Sequence, residues 1–162
     1  MKSSINMKRI LFVCLGNICR SPSAEGIMKS LIKREGKESE FYIDSAGTYR
    51  GHAGSLPDER MRRHAAKRAY TLDSLARTFY PAADFVDFDL IIGMDDQNVA
   101  DLKSLATSDE ERSKILKMTD FCQKYTSYTT VPDPYYGGEE GFELVLDILE
   151  DATAGLYQKC LE

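Results

Sequence analysis

A chain of 162 residues, 43% hydrophobic and 29% charged, has the size and makeup of one ordinary globular domain, which argues against two independent cores. It contains no apolar run near the roughly 18 residues of a membrane-spanning helix, and no charged stretch followed by an apolar core opens it, so neither a membrane anchor nor a standard export signal is expected. The net charge of −5 divides unevenly: residues 1–80 carry 15 Lys and Arg against 8 Asp and Glu (+7), residues 81–162 carry 6 against 18 (−12), a pattern that suits an anionic small group but not general nucleic-acid binding.

Residues 1–6 read as a frayed leader, with a single domain over 7–162. KRILFVC, 8–14, is a β-branched and aromatic run expected as a strand buried on both faces, the usual state in a parallel sheet. A loop, LGNICR, follows. In SPSAEGIMKSLIKRE, Ser21 is a good N-cap, Pro22 suits the first helical position, and Ile27, Met28, Leu31 and Ile32 repeat at helical spacing. A second strand is predicted over 40–46, a loop from Gly47 through Pro57, and a basic, mostly exposed helix over 58–70. FDLIIGM, 88–94, is another buried strand, and Asp95 caps a helix through about Leu105. KILKM, 114–118, is a weaker strand candidate, while VPDPYYGG, 131–138, with two prolines and two glycines, must be a loop. A closing helix over about 140–160 packs through Phe142, Val145, Leu146, Leu149 and Leu156. Strands alternating with helices imply an α/β fold with a four-stranded parallel doubly wound sheet flanked by helices.

In such a sheet the first strand-to-helix loop is the favoured ligand site. Here it is a cysteine, five residues, then Arg20 and Ser21. A loop of this length can turn its N–H groups inward, the following helix adds its positive end, and the result selects an oxyanion; the phosphate-binding set is then Leu15, Gly16, Asn17, Ile18, Cys19 and Arg20. Arg20 offers a planar fork for two phosphate oxygens, and Cys14 sits in a field that favours a thiolate. A cysteine ending a buried strand is more often inert; the conjunction with this spacing and Arg-Ser is what points to catalysis. Cysteines 14, 19, 122 and 160 form neither CxxC pairs nor close pairs with histidine, which fits no disulfide framework and no structural zinc site, and suggests a reducing cytoplasm.

VCLGNICRSPSAE resembles the signature loop of the low-molecular-weight protein tyrosine phosphatases, and the resemblance continues through DSAGT (44–48), PDER (57–60), GMDDQN (93–98) and VPDPYYGG (131–138). It covers nearly the whole chain from Met7. Chemistry asks for a carboxyl to protonate the leaving oxygen, and with only 13 residues before Cys14 it must come from downstream. The resemblance implies that Asp133, between two prolines, is that acid and later the base for water, that Cys14 is the nucleophile, and that Ser21 assists the thiolate. It also implies that Asn17, Ser45 and Asp95 support the loop and that Ile18, Tyr49, Tyr135 and Tyr136 wall the substrate. Phosphoarginine-directed members tend to carry Thr at the place of Ile18, so Ile18 leans towards phosphotyrosine. Where the family often has an aromatic residue before His52 this chain has Gly51, a gap that Tyr49 can fill or that leaves the pocket open; Ser74 replaces a histidine of animal relatives, read as a loss without catalytic consequence. His52 and His64 read as surface residues.

The function implied is a metal-independent, cysteine-dependent protein tyrosine phosphatase without cofactor, releasing inorganic phosphate. Its partners would be phosphotyrosine-containing proteins, with a tyrosine kinase as a candidate, and neither nucleic acid nor membrane. Cys19 beside the nucleophile suggests redox sensitivity through a Cys14–Cys19 disulfide. Three alternatives remain: an arsenate reductase, which needs relay cysteines that are lacking between Cys19 and Cys122; a sugar-uptake phosphocarrier, which has no need of Arg20 or a mobile acid; and a module that only binds phosphate.

Overall fold

The computed structural model describes residues 7–134 and 138–162. Four parallel strands, β1 (Lys8–Cys14), β2 (Phe41–Gly47), β3 (Leu90–Gly93) and β4 (Ile115–Lys117), form one sheet in the order β2-β1-β3-β4. Helices α1 (Arg20–Arg34), α2 (Glu59–Ala66), α3 (Pro81–Asp87), α4 (Asp96–Leu105), α5 (Asp109–Ser113) and α6 (Glu139–Leu161) flank it. The expected α/β sheet is therefore the one observed.

The strand β1 shows why. Ile10, Leu11, Phe12 and Val13 are all fully buried, each worth about 1.5–3 kcal/mol over leaving it in water. Alternate residues face opposite sides: Ile10, Phe12 and Cys14 join the core formed with α1, α2 and α6, while Leu11 and Val13 join the one containing Phe85 of α3 and Leu102 of α4. No polar position was affordable between Ile10 and Val13, which is why the run is continuously apolar. The chain moves from β1 to β2 on one side and then to β3 on the other, so the ends of β1 and β3 diverge into a crevice, the position where ligands bind in open parallel sheets. Cys14 pairs with Gly47 and Val13 with Gly93 at that end.

Several boundaries and environments depart from expectation. The helix α1 begins at Arg20, with Cys19 in the capping position and no side-chain cap; Ser21 is not the N-cap because its hydroxyl is turned back to Cys14 and Asn17. Pro22 remains within the first turn, where an absent N–H costs nothing. The predicted exposed helix at 58–70 is shorter and less exposed: α2 buries Met61, His64 and Ala65. Its cap is Asp58, which accepts from the backbone N–H of Arg60 and Met61. Helices α3 and α5 were not expected; each is a short segment of two turns or fewer with few apolar positions to show a period. Residues 1–6, and with them the expected leader, lie outside the described residues. Among the described residues no helix is long and apolar enough to cross a membrane.

Candidate active site

Residues 14–20 leave the end of β1 and turn into α1, and the turn depends on two local features. Asn17 adopts φ +56°, a left-handed conformation that asparagine tolerates better than most residues. Gly47 lies so close that an added Cβ would stand 2.7 Å from the Leu15 carbonyl oxygen and 3.1 Å from Asn17 Cβ, so only glycine lets β2 pass under the loop.

A network behind the loop holds this shape. Asn17 Nδ2 donates to Ser21 Oγ (2.8 Å) and to Ser45 Oγ (2.9 Å), and Asn17 Oδ1 accepts from the Arg77 N–H (2.9 Å). Ser45 Oγ in turn donates to Glu25 Oε1 (2.6 Å), which also accepts from Ser74 Oγ (2.9 Å), while Lys29 reaches Glu25 Oε2 (2.6 Å). Because Ser21 Oγ accepts from Asn17, its own proton is available to Cys14 Sγ at 3.0 Å, a closer contact than the Ala46 carbonyl at 3.4 Å. The backbone N–H of Ser21 also points at Cys14 Sγ, at 3.5 Å. The first turn of α1 thus sets a backbone N–H and a hydroxyl against one sulfur.

Arg20 is almost wholly buried. Its Nη1 donates to Asp95 Oδ2 (2.7 Å) and to the Val131 carbonyl (3.0 Å), and its Nη2 stands 3.7 Å from Asp133 Oδ2. Burial alone would lower the guanidinium pKa, but the attraction of Cys14, Asp95 and Asp133 outweighs it and the net shift is upward, so the cation is secure. Asp95 uses its other oxygen to cap α4 at the Asn98 N–H (2.7 Å). It therefore caps its helix as expected and also reaches the loop through Arg20.

These groups line a cavity of about 300 Å³. Cys14, Leu15, Gly16, Ile18, Cys19 and Arg20 come from the loop, and Tyr49, His52 and Asp133 complete the wall. The Asn17 side chain turns behind the loop into the supporting network, away from the cavity lining. The Tyr49 ring covers Gly51: a Cβ on Gly51 would fall 2.1 Å from Tyr49 Oη. Tyr49 thus occupies the space that a larger residue at 51 would take, and its ring meets His52 edge-on at 5.7 Å. His52, expected on the surface, lies in the wall because the loop after β2 folds over Gly16. Tyr135 and Tyr136 lie outside the described residues. Cys19 is buried, and burial first, then Asp58, Cys14 and Asp133, pushes its thiol pKa far upward. Among the described residues no group of three His, Cys, Asp or Glu stands where it could hold a metal ion.

A sequence model of the low molecular weight phosphotyrosine protein phosphatases matches residues 9–162. The chain belongs to that family. A phosphatase of this name from Gallus gallus is 37% identical over 142 residues, 87% of this chain and 88% of the relative. The low molecular weight protein-tyrosine-phosphatase YfkJ of Bacillus subtilis is 37% identical over 155 residues, 94% and 98% of the two chains. A solved protein tyrosine phosphatase from Entamoeba histolytica superposes with a TM-score of 0.91 at 45% identity, covering 95% of this chain and 97% of that one. Against this family background, four participants escaped the sequence reading: Glu25, Ser74, His52 and the Val131 carbonyl. Ser74 is not idle, since it shares Glu25 with Ser45. The pairing of a buried-helix Glu25 with Lys29 four residues on was the one available signal, and it looks like any exposed helical ion pair.

Proposed function

We propose that this chain hydrolyses phosphotyrosine in proteins through a cysteinyl-phosphate intermediate, without metal or cofactor. The observation that carries the reading is the convergence of Cys14, Arg20 and Asp133 on one cavity, with Ser21 Oγ 3.0 Å from the sulfur. Cys14 Sγ attacks phosphorus in line; the S–P bond forms as the bond to the phenolic oxygen breaks, and that oxygen takes the proton of Asp133. Arg20 and the N–H groups of the loop and first turn of α1 stabilise the equatorial oxygens, the charge work a metal does elsewhere. Water then attacks phosphorus, its proton passing to the Asp133 carboxylate, and the S–P bond breaks to give inorganic phosphate. Ser21 stabilises the departing thiolate. Ile18 and Tyr49 form walls for an aromatic ring, so that a short phosphoserine side chain would not reach the nucleophile. The substrates are phosphotyrosine proteins of the cytoplasm, supplied by a tyrosine kinase, and residues 7–162 act as one domain.

The test combines substrate and variant. The protein should hydrolyse para-nitrophenyl phosphate in excess EDTA and phosphotyrosine peptides far faster than phosphoserine ones; comparable rates on both peptides, or faster hydrolysis of phosphoarginine, would refute the specificity. Asp133→Asn should slow aryl phosphates with poor leaving groups much more than those with good ones. A slope of log rate against leaving-group pKa that does not steepen would remove Asp133 as the acid.

A further inference from the structure

His64 is an unusual residue to find in the last turn of a basic helix, because it is buried, and both of its ring nitrogens face carboxylates of α6. Nε2 lies 3.1 Å from Glu139 Oε1, and Nδ1 bonds to Glu143 Oε2. The ring stacks on Phe142, centroids 5.4 Å apart and planes 7° from parallel. Each ring nitrogen is thus met by a different carboxylate of α6. The charged groups around it are Arg60, Lys67 and Arg68 from the α2 side and Glu139, Glu140, Glu143 and Asp147 from α6. Arg68 also bonds Glu143 (2.5 Å), and chiefly that bond, with His64 next, holds the Glu143 carboxyl below the ordinary carboxylate range.

The place of these contacts in the fold gives them a consequence. Glu139 is the first residue of α6, and α6 follows directly on the segment that carries Asp133. The near end of that segment is held at Val131, whose N–H donates to the Met94 carbonyl (2.9 Å) and whose carbonyl accepts from Arg20. On its other side Pro134 lies beside the first turn of α6, where a Cβ added at Gly141 would stand 3.7 Å from the proline ring. That turn has no side-chain cap of its own. The helix α2 meanwhile starts from the phosphate loop: the Asp58 N–H donates to the Ile18 carbonyl at 2.8 Å. Arg60, one turn before His64, lies over the same Phe142 ring at 4.9 Å.

We propose that His64 is a positioning residue for the proton-transfer step: α2 is a strut from the phosphate loop, and His64 at its end fixes the first turn of α6 and thereby the reach of Asp133 over the cavity. The proposal rests on Asp133 being the general acid. It assigns His64 no contact with substrate, and it predicts a specific kinetic signature, because only steps that need the acid should feel it.

The experiment measures kcat/KM over aryl phosphates of graded leaving-group pKa for wild type, His64→Phe, Asp133→Asn and the double variant His64→Phe/Asp133→Asn. Phenylalanine keeps the stack on Phe142 and removes both nitrogen contacts. His64→Phe should lower kcat/KM about tenfold for phenyl phosphate and less than about twofold for 2,4-dinitrophenyl phosphate, with inhibition by inorganic phosphate unchanged. In the Asp133→Asn background it should steepen the slope no further, since both changes remove one interaction. Parallel losses on all substrates, or no loss, would overturn the proposal. Should His64→Phe fail to fold, Glu139→Gln/Glu143→Gln, which changes two partly exposed carboxylates, must give the same steepening, and an unchanged slope there is equally fatal. If Asp133→Asn itself leaves the slope unchanged, the acid assignment fails and this inference fails with it; if Asp133→Asn steepens the slope and the His64 and glutamate variants do not, only the inference fails.

Discussion

Asn17→Ala is the substitution whose cost can be worked out most fully. The side chain makes three hydrogen bonds, to Ser21, Ser45 and the Arg77 N–H, each worth about 1 kcal/mol net. Ser21 and Ser45 can keep their other partners, but the Arg77 N–H loses its acceptor, which places its share towards the upper end of the range. Alanine must also hold φ +56°, adding about 1 kcal/mol. The expected loss is therefore about 4 kcal/mol for Asn17→Ala. Asn17→Gly loses the same bonds without the steric strain, although the freer unfolded chain takes back part of that relief, so the loss should be about 3 to 4 kcal/mol. Against a typical stability of about 5–15 kcal/mol both variants should fold, and urea unfolding of the three proteins followed by circular dichroism measures the differences. Turnover should fall in both, because Ser21 loses the donor that aims its proton at Cys14. An Asn17→Ala loss below about 1 kcal/mol would refute the claim that this network holds the loop. A glycine variant clearly less stable than the alanine one would refute the strain argument.

Three further outcomes are expected. Cys14→Ser and Arg20→Ala should each abolish aryl-phosphate hydrolysis while leaving circular dichroism unchanged, since the first removes the nucleophile and the second removes charge stabilisation of about 3 kcal/mol or more; a tenth of wild-type turnover in a folded variant would contradict the assignment. Hydrogen peroxide should inactivate the wild type reversibly, Cys14 being oxidised to a sulfenic acid that the Cys19 thiol converts to a disulfide with loss of water, and Cys19→Ser should make much of the inactivation irreversible to dithiothreitol; mass spectrometry showing no such crosslink would exclude it. Asp151 accepts the N–H groups of Gln123, Lys124 and Tyr125, and although burial raises its pKa these bonds more than offset it, so the folded value lies below the ordinary one. Its stabilisation is complete above the unfolded carboxyl's range and lost as pH falls through the folded value, so Asp151→Asn should narrow the gap between urea midpoints at about pH 7 and about pH 3, and an unchanged gap would count against it.

The features legible in the sequence share one property: they are decided by residues close together in the chain. The strand β1 is readable because a strand covered on both faces admits no polar position, and the candidate loop after it because cysteine, spacer, arginine and helix start fall within eight residues. Local chemistry likewise marked Asp95 as a cap and 131–138 as a loop. What stayed hidden are side chains whose role depends on a neighbour far along the chain. Arg20 meets the Val131 carbonyl across 111 residues, and His64 meets Glu143 across 79. Glu25 and His64 each look, in sequence, like residues on a solvated helix face, and only the packing of α1 on β2 and of α2 on α6 takes them out of water. Ser21 shows the same division within one residue: the chain alone makes it a helix cap, and only the folded loop, by bringing Cys14 within 3.0 Å and Asn17 within 2.8 Å, gives its hydroxyl better partners than the helix end could. Periodicity and spacing thus determine which surfaces must be buried, whereas the close packing of those surfaces decides which polar groups are trapped together and must satisfy one another there.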